Sequence, residues 1–314
     1  MQYRKFGNTE YKVSEIGFGT WPLAGGQNGA IAYGSVNEIE SIQALRYAYD
    51  NGINFYDTAD FYGYGYVEKL LGDSLADVRK NVIFATKVGL VSDDGYLDFS
   101  TDHMVEAIEL SLKRLKTDYI DIYLLHCPKL EMLNDGRIQS LLQIFQLEGK
   151  IREYGISVKT PSEAIIAIEK FSFDIVEINY NVLDHRAKNL GVFDLCREKN
   201  VATIIRTPLG QGLISGEFEY NSDSSDIRNS MSKEVFDKNV DAYNEMIKRI
   251  NDSSRTRTQI ALQFCLNEPV SSCVIPGMKT VNHVKENIMS INHDAQLSQS
   301  DLDIIYQVYD KYKL

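Results

Sequence analysis

Four side chains in the first 126 residues could together deliver a proton to an oxygen: the acid Asp57, the phenol Tyr62, the amine Lys87 and the imidazole His126. A free tyrosine ionises near pH ~10, about three units above neutrality, so it is a sluggish donor unless its phenolate is stabilised. A neighbouring lysine ammonium supplies that stabilisation, and an aspartate holds the lysine charged and in place. Histidine, charged or neutral, can hydrogen-bond a substrate oxygen. The four groups make a donor able to protonate an alkoxide as it forms from a carbonyl. Singly, each has a plainer reading: Asp57 as a cap for Thr58 to Asp60, Lys87 as a solvated loop lysine, His126 as a satisfied core histidine. On spacing alone Tyr56, Tyr64 and Tyr66 compete with Tyr62. Three successive strand ends carrying such groups point instead to a site.

For these groups to meet, their strands must run parallel in one sheet. The run 53–57 ends on Asp57, 82–86 delivers Lys87 and 119–125 delivers His126, with Tyr62 in a glycine-rich loop after the first. Upstream, Tyr3 to Phe6 and Lys12 to Ile16 flank the turn signal Gly7-Asn8 and predict a hairpin. Ile16 to Trp21 reads as the first buried strand, followed by a loop rich in glycine from Pro22 to Gly34. Ser35 with Glu38 has the form of a capping box, and Ile42, Leu45 and Tyr49 recur at helical spacing until Gly52.

From there strands and helices alternate. Helices are expected near 66–75, 101–115, 137–148, from Pro161, and near 187–199. Strands are expected at 153–157, 174–179, 201–206 and 272–275. Helices near 235–250, 257–266 and 281–290, and a last one capped by Ser298, complete the chain. Eight strands after the hairpin, alternating with helices, predict a parallel sheet closed into a (β/α)8 TIM barrel with an N-terminal β-hairpin and extra C-terminal helices. A doubly wound dinucleotide fold would need Gly-x-Gly-x-x-Gly after its first strand. Gly17-Phe-Gly19 has Pro22 at the third position and Gly63-Tyr-Gly65 has Glu68, so neither fits. Residues 1–314 are read as one domain, with Glu219 to Ser232, dense in Ser, Asn and Asp, as its mobile loop.

Composition narrows the function classes. The 44 acidic and 33 basic residues give a net charge of -11, which opposes nonspecific attraction to nucleic acid or an anionic membrane. Cys127, Cys196, Cys265 and Cys273 contain no Cys-x-x-Cys pair, so they read as reduced thiols and not as a zinc or disulfide framework. The start lacks a signal-peptide apolar run and no stretch is apolar enough to span a bilayer, so a soluble, cytoplasmic protein is expected. Its partner is then a small molecule. The five histidines offer no His-x-x-x-His spacing, and no metal site is expected.

Four motifs carry a resemblance to a known family. Phe55-Tyr-Asp-Thr-Ala-Asp-Phe-Tyr-Gly63, Ala85-Thr-Lys-Val-Gly89, Leu112-Lys-Arg-Leu-Lys-Thr-Asp-Tyr-Ile-Asp-Ile-Tyr-Leu-Leu-His126 and Gly149-Lys-Ile-Arg-Glu-Tyr-Gly-Ile-Ser157 resemble the aldo-keto reductase superfamily. The likeness runs in order from Tyr3 to Asn287. It implies a barrel that uses NADPH, in preference to NADH, to reduce an aldehyde or ketone substrate, sugars and keto-sugars included. It matches Asp57, Tyr62, Lys87 and His126 to a catalytic tetrad, with Tyr62 the general acid, Lys87 and Asp57 tuning it and His126 orienting the carbonyl.

The resemblance also implies cofactor contacts. Thr20 and Trp21 fall on that side, and Ser157 and Asn179 lie near the nicotinamide carboxamide. The asparagine usual after the serine is Val158, the usual glutamine is Glu177, and the tyrosine on which many members stack the nicotinamide is Arg206. A glutamate accepts from an amide NH2 but cannot donate to its oxygen. Two glycine loops, containing Pro208, Leu209, Gly210 and Gly212 and then Pro276 and Gly277, occupy the phosphate corner of such barrels, beside a helix starting near Val281. The resemblance assigns Lys279 and His283 to the 2′-phosphate of NADP, and Glu286 and Asn287 to the adenosine. Glu217 stands where a lysine is common. Trp21, Tyr64 and Leu90 are candidate substrate-pocket walls. Two rival readings remain open at this point: a Schiff-base aldolase acting through Lys87, and a noncatalytic subunit that senses a nicotinamide nucleotide.

Overall fold

The computed structural model describes residues 1–30, 32–216, 220, 226, 231–291 and 296–314. The first two strands, β1 (Tyr3–Lys5) and β2 (Lys12–Ser14), form the expected antiparallel hairpin. Eight parallel strands follow: β3 (Phe18–Gly19), β4 (Phe55–Asp57), β5 (Ile83–Val88), β6 (Ile120–His126), β7 (Ile151–Ser157), β8 (Ile175–Asn179), β9 (Ala202–Arg206) and β10 (Ser271–Val274). They pair in chain order. The ring closes where Gly17 donates its N–H to Val274 O at 2.8 Å, Val274 to Glu15 O at 2.9 Å, and Gly19 to Pro276 O at 3.0 Å. The fold is therefore a (β/α)8 barrel.

The helices are α1 (Glu38–Asp50), α2 (Tyr66–Leu75), α3 (Thr101–Leu115), α4 (Arg137–Leu147), α5 (Pro161–Glu169), α6 (Arg186–Asn189), α7 (Val192–Lys199), α8 (Lys233–Ile250), α9 (Arg257–Leu266), α10 (Val281–Met289) and α11 (Gln299–Tyr312). Capping boxes start three of them, at Thr160 with Glu163, Thr256 with Gln259 and Ser298 with Asp301. Among the described residues no helix is long and apolar enough to cross a membrane.

Two apolar layers hold these elements. Inside the barrel Phe6, Phe55, Ile83, Ile122, Ile175 and Ile204 pack together, so the lumen is a core and not a channel. Outside it, one continuous core joins the strands to the helix faces. The hairpin seals the end of the barrel where the strands begin. There the Arg4 guanidinium binds Glu15 at 2.8 Å and donates to the carbonyls of Ser271 and Leu266 at 2.7 and 2.9 Å. Tyr11 donates to Asp121 at 3.0 Å, and Asp121 in turn pairs with buried Arg79 at 2.7 Å.

Three local expectations need correction. Helix α1 is capped by Asn37, whose side chain accepts from Ile39 and Glu40 N–H, and not by Ser35. The helix expected over 187–199 is two pieces, α6 and α7, because Gly191 between them takes a left-handed φ of 77°. The first barrel strand is shorter than 16–21, since the chain turns into a short 3-10 segment at Trp21–Ala24. Of the segment Glu219 to Ser232, all but Tyr220, Asp226, Met231 and Ser232 lies outside the described residues, as does Glu217.

Gly89 has a direct bearing on the site, because it turns the chain just past Lys87. Its φ is 108°, and a Cβ there would sit 2.1 Å from the Phe99 ring. Gly89→Ala combines overpacking with an unfavourable backbone, so a stability loss of about 1–3 kcal/mol is expected in urea denaturation. Wild-type stability in that variant would show that the turn is not constrained as described.

Candidate active site

The strand ends bring the four expected side chains together. Asp57 closes β4, Lys87 stands one residue before the end of β5, His126 closes β6, and Tyr62 comes from the turn between β4 and α2. The parallel register places Asp57 beside Ala85 and Lys87 beside Leu124, so successive strands hold these groups at adjacent steps of the ring. Lys87 is 1% exposed and Asp57 is 3% exposed. The Lys87 Nζ lies 2.7 Å from both Asp57 carboxylate oxygens, 3.0 Å from Thr58 O and 3.4 Å from the Tyr62 hydroxyl. Trp21 lies nearly parallel to the Tyr62 ring with centroids 6.1 Å apart, and His126 stands edge-on to it at 6.0 Å.

A second carboxylate enters this cluster. Glu177, on β8 and 2% exposed, places Oε2 at 3.4 Å from Lys87 Nζ, accepts from Ser157 Oγ at 3.0 Å and lies 3.8 Å from Arg206 Nε. Arg206 itself donates to Val158 O at 2.8 Å. Among the described residues, His126 Nδ1, Glu177 Oε2 and Arg206 Nε are buried polar atoms of this cluster with no hydrogen bond. Buried polar atoms left unsatisfied in a pocket are ready for a ligand that satisfies them.

The four groups differ in their electrostatics. Burial would lower the Lys87 amine, but Asp57, Glu177 and Tyr62 outweigh it and hold the ammonium above its ordinary range. Burial and the nearby Glu177 raise the Asp57 carboxyl, with Lys87 opposing them. Burial, then Lys87, Arg206 and Lys159, push His126 well below its usual value, so the imidazole is neutral near pH 7. Burial pushes the Tyr62 phenol up while Lys87 pulls it down. The lysine therefore acts in the expected direction, but desolvation is the larger effect. The phenol is fully protonated at neutral pH, as a proton donor must be.

These groups form one end of an elongated cleft of about 940 Å3. Its walls continue past Ser157, Glu177 and Arg206 to Pro208, Leu209 and Gly212, then to Gly277, Lys279, His283, Glu286 and Asn287. Trp21 and Leu90 line the tetrad end. At the far end α10 begins after Thr280, whose side chain accepts from His283 N–H, and His283 Nδ1 accepts from the Lys279 N–H at 3.2 Å. The Lys279 amine binds the carbonyl of Tyr33 and lies 3.4 Å from that of Ser35.

Several expected residues are not on these walls. Thr20 is fully buried and donates to the Asp57 carbonyl at 2.8 Å, so it braces the strand end and does not face the cleft. Gly210 and Pro276 shape the two loops without lining the cleft, and Asn179 instead accepts from Thr207 Oγ1 at 2.8 Å. Tyr64 turns outward and donates to Asp93 at 2.8 Å, so it is not a pocket wall.

Other wall residues escaped the sequence reading, notably Tyr33, Phe61, Arg255, Arg257 and Asn282. Arg255 and Arg257 had a signal, since they flank Thr256 just before a helix, where anions bind readily. Tyr33 and Phe61 had none, because nothing local says which loop aromatic turns inward.

Comparison with known proteins agrees with this geometry. The Aldo/keto reductase family model matches residues 15–310. The chain is 31% identical over 296 residues to the uncharacterized oxidoreductase YqkF of Bacillus subtilis, covering 93% of this chain and 92% of that protein. It is 30% identical over 303 residues to L-galactose dehydrogenase of Arabidopsis thaliana, covering 93% and 88%. Among solved structures, the holo form of aldo-keto reductase AKR11C1 from Bacillus halodurans aligns with a TM-score of 0.81 at 27% identity, covering 98% of this chain and 96% of that one. On its barrel and a match spanning nearly its whole length, the chain belongs to the aldo/keto reductase family of oxidoreductases.

Proposed function

We propose that the chain reduces an aldehyde or ketone with NADPH and runs reversibly with the alcohol. The observation that carries this reading is the junction of a buried acid-amine-phenol-imidazole cluster with a long cleft that ends in a basic corner. A bound dihydronicotinamide would supply hydride to the carbonyl carbon. Tyr62 gives its proton to the carbonyl oxygen as negative charge develops there. Lys87, fixed by Asp57 and Thr58, stabilises the phenolate that remains. Neutral His126 donates a hydrogen bond that orients the same oxygen. Trp21 and Phe61 wall this end and limit water.

The unsatisfied atoms fit the cofactor. A carboxamide needs one acceptor for its NH2 and one donor for its oxygen; Glu177 Oε2 offers the first and Arg206 Nε the second. At the far end Lys279 and Arg257 line the cleft opposite Glu286, with Arg255 beside them paired to Asp252 and Asp301, and these cations support binding of a pyrophosphate and a 2′-phosphate there. The aldolase reading of Lys87 is disfavoured. A Schiff-base nucleophile must be a neutral amine, and this one is clasped by a carboxylate and held charged.

The chain contains a single tryptophan, Trp21, and it lines the cleft. Its fluorescence is therefore expected to quench on titration with reduced nicotinamide nucleotides. NADPH is expected to bind about tenfold more tightly than NADH, the increment of about 1.4 kcal/mol for a further charge-assisted contact. Equal affinities would overturn the NADPH preference, and an absent response to both would overturn the cofactor assignment. Oxidation of NADPH across a panel of aldehydes, ketones and sugars then tests turnover. Tight binding without turnover would favour a sensing role.

A further inference from the structure

We infer that Glu177 competes with Tyr62 for the Lys87 ammonium, so that a ligand engaging Glu177 frees the ammonium for the phenol and arms the proton donor. The inference rests on the reading of Tyr62 as general acid. It concerns Glu177 as a positioning residue acting through Lys87.

The argument is a count of donors. A lysine ammonium has three N–H groups. Around Lys87 Nζ stand five oxygens: two of Asp57 at 2.7 Å, Thr58 O at 3.0 Å, the Tyr62 hydroxyl at 3.4 Å and Glu177 Oε2 at 3.4 Å. Asp57 and Thr58 take the short, strong bonds. Those three bonds already match the three N–H groups, so Tyr62, from the turn after β4, and Glu177, from β8, both meet the ammonium at 3.4 Å and chiefly through its charge.

The contest is uneven in charge. Around Tyr62 the charged groups are Asp57 from β4, Lys87 from β5, Glu177 from β8 and Arg206 from β9, with His126 from β6 the other titratable neighbour. A carboxylate attracts the ammonium more strongly than a neutral phenol does. Glu177 is not free to withdraw, because Ser157 Oγ holds its other oxygen at 3.0 Å. Yet among the described residues buried Oε2 accepts no hydrogen bond, and Glu177 borders the cleft. An amide N–H arriving there supplies one, and the ammonium loses its second carboxylate as a competitor. Ligand binding and donor strength are thereby coupled through one shared cation.

Glu177→Gln tests this by removing the charge at nearly constant shape. The readout is the pH profile of kcat/KM for carbonyl reduction at saturating NADPH. Its alkaline limb, where Tyr62 loses its proton, is expected to move down by about one unit, because the phenolate then has one fewer anion beside it. Alcohol oxidation near neutrality, which needs the phenolate, is expected to rise by up to about tenfold with the same shift. Glu177→Asp retains the charge and is expected to leave the limb near its wild-type position.

An unmoved limb in Glu177→Gln, with only a weakened NADPH affinity, would overturn the inference and leave Glu177 a cofactor contact alone. A limb that moves equally in Glu177→Gln and Glu177→Asp would also overturn it, since shape and not charge would then be responsible. If Tyr62→Phe retains turnover, the general-acid reading itself fails. Loss of turnover in Tyr62→Phe with an unmoved limb in Glu177→Gln rejects the competition only.

Discussion

Replacing Tyr62 by Phe is expected to lower carbonyl-reduction turnover by about 10²–10⁴-fold, the span of general acid catalysis. The substitution deletes one oxygen and little else. The ring keeps its neighbours, with Trp21 at 6.1 Å and His126 at 6.0 Å, so the fold and the cleft should survive. What disappears is the hydroxyl that accepts from Lys87 Nζ at 3.4 Å. The Trp21 fluorescence titration separates the two outcomes cleanly. Binding of NADPH is expected to persist within a few-fold while kcat collapses. Turnover comparable to wild type would show that the proton comes from elsewhere, and the cluster would need another explanation.

Replacing Lys87 by Met is the second large effect, and here stability falls along with activity. Methionine fills the space but leaves both Asp57 oxygens and Glu177 Oε2 facing a thioether. Breaking a buried ion pair from one side typically costs about 3–5 kcal/mol, since an uncompensated charge is left behind. The sign of the pH dependence follows from Asp57, whose carboxyl burial and Glu177 already raise. Without its counter-ion that carboxyl rises further in the folded state than in the unfolded chain. A raised carboxyl favours the folded form at pH values where it holds its proton and loses that advantage as pH climbs. The deficit of Lys87→Met, measured by urea denaturation, is therefore expected to be larger at neutral pH than in mild acid. Adding Asp57→Asn to Lys87→Met is expected to recover much of the loss, because a neutral amide needs no counter-ion. A deficit that ignores both pH and the second substitution would mean that lost packing and not charge is responsible.

The barrel was legible because its signals are local and repeat. Runs such as Ile120 to Leu125 are apolar enough to be buried strands, and helix starts are marked by residues such as Pro161 and Ser298. Strand ends carrying Asp57, Lys87 and His126 follow from that alternation alone. Cap geometry was less legible. Ser35 and Asn37 are both good caps, and only backbone conformation decides between them. Gly191 falls within the helix expected near 187–199 and divides it, because its φ of 77° is left-handed.

Long-range packing was not legible at all. Thr20 matched a cofactor position, yet its hydroxyl is spent on the Asp57 carbonyl. Tyr64 and Phe61 are three residues apart in one loop, and one points to Asp93 while the other walls the cleft. The direction of the Tyr62 shift depends on how far burial outweighs Lys87, which is a matter of surrounding volume and not of residue type.

The way the ring is fastened at its base constrains how the polypeptide can be assembled. Strand β3 finds its second neighbour only when residues near Val274 exist, and Arg4 grips carbonyls more than 260 positions downstream. Any shorter nascent chain would carry β3 with one flank bare, an invitation to pair with another molecule. Such remote fastenings slow the search for the native state, because much of the chain's entropy must be surrendered before the contact is rewarded.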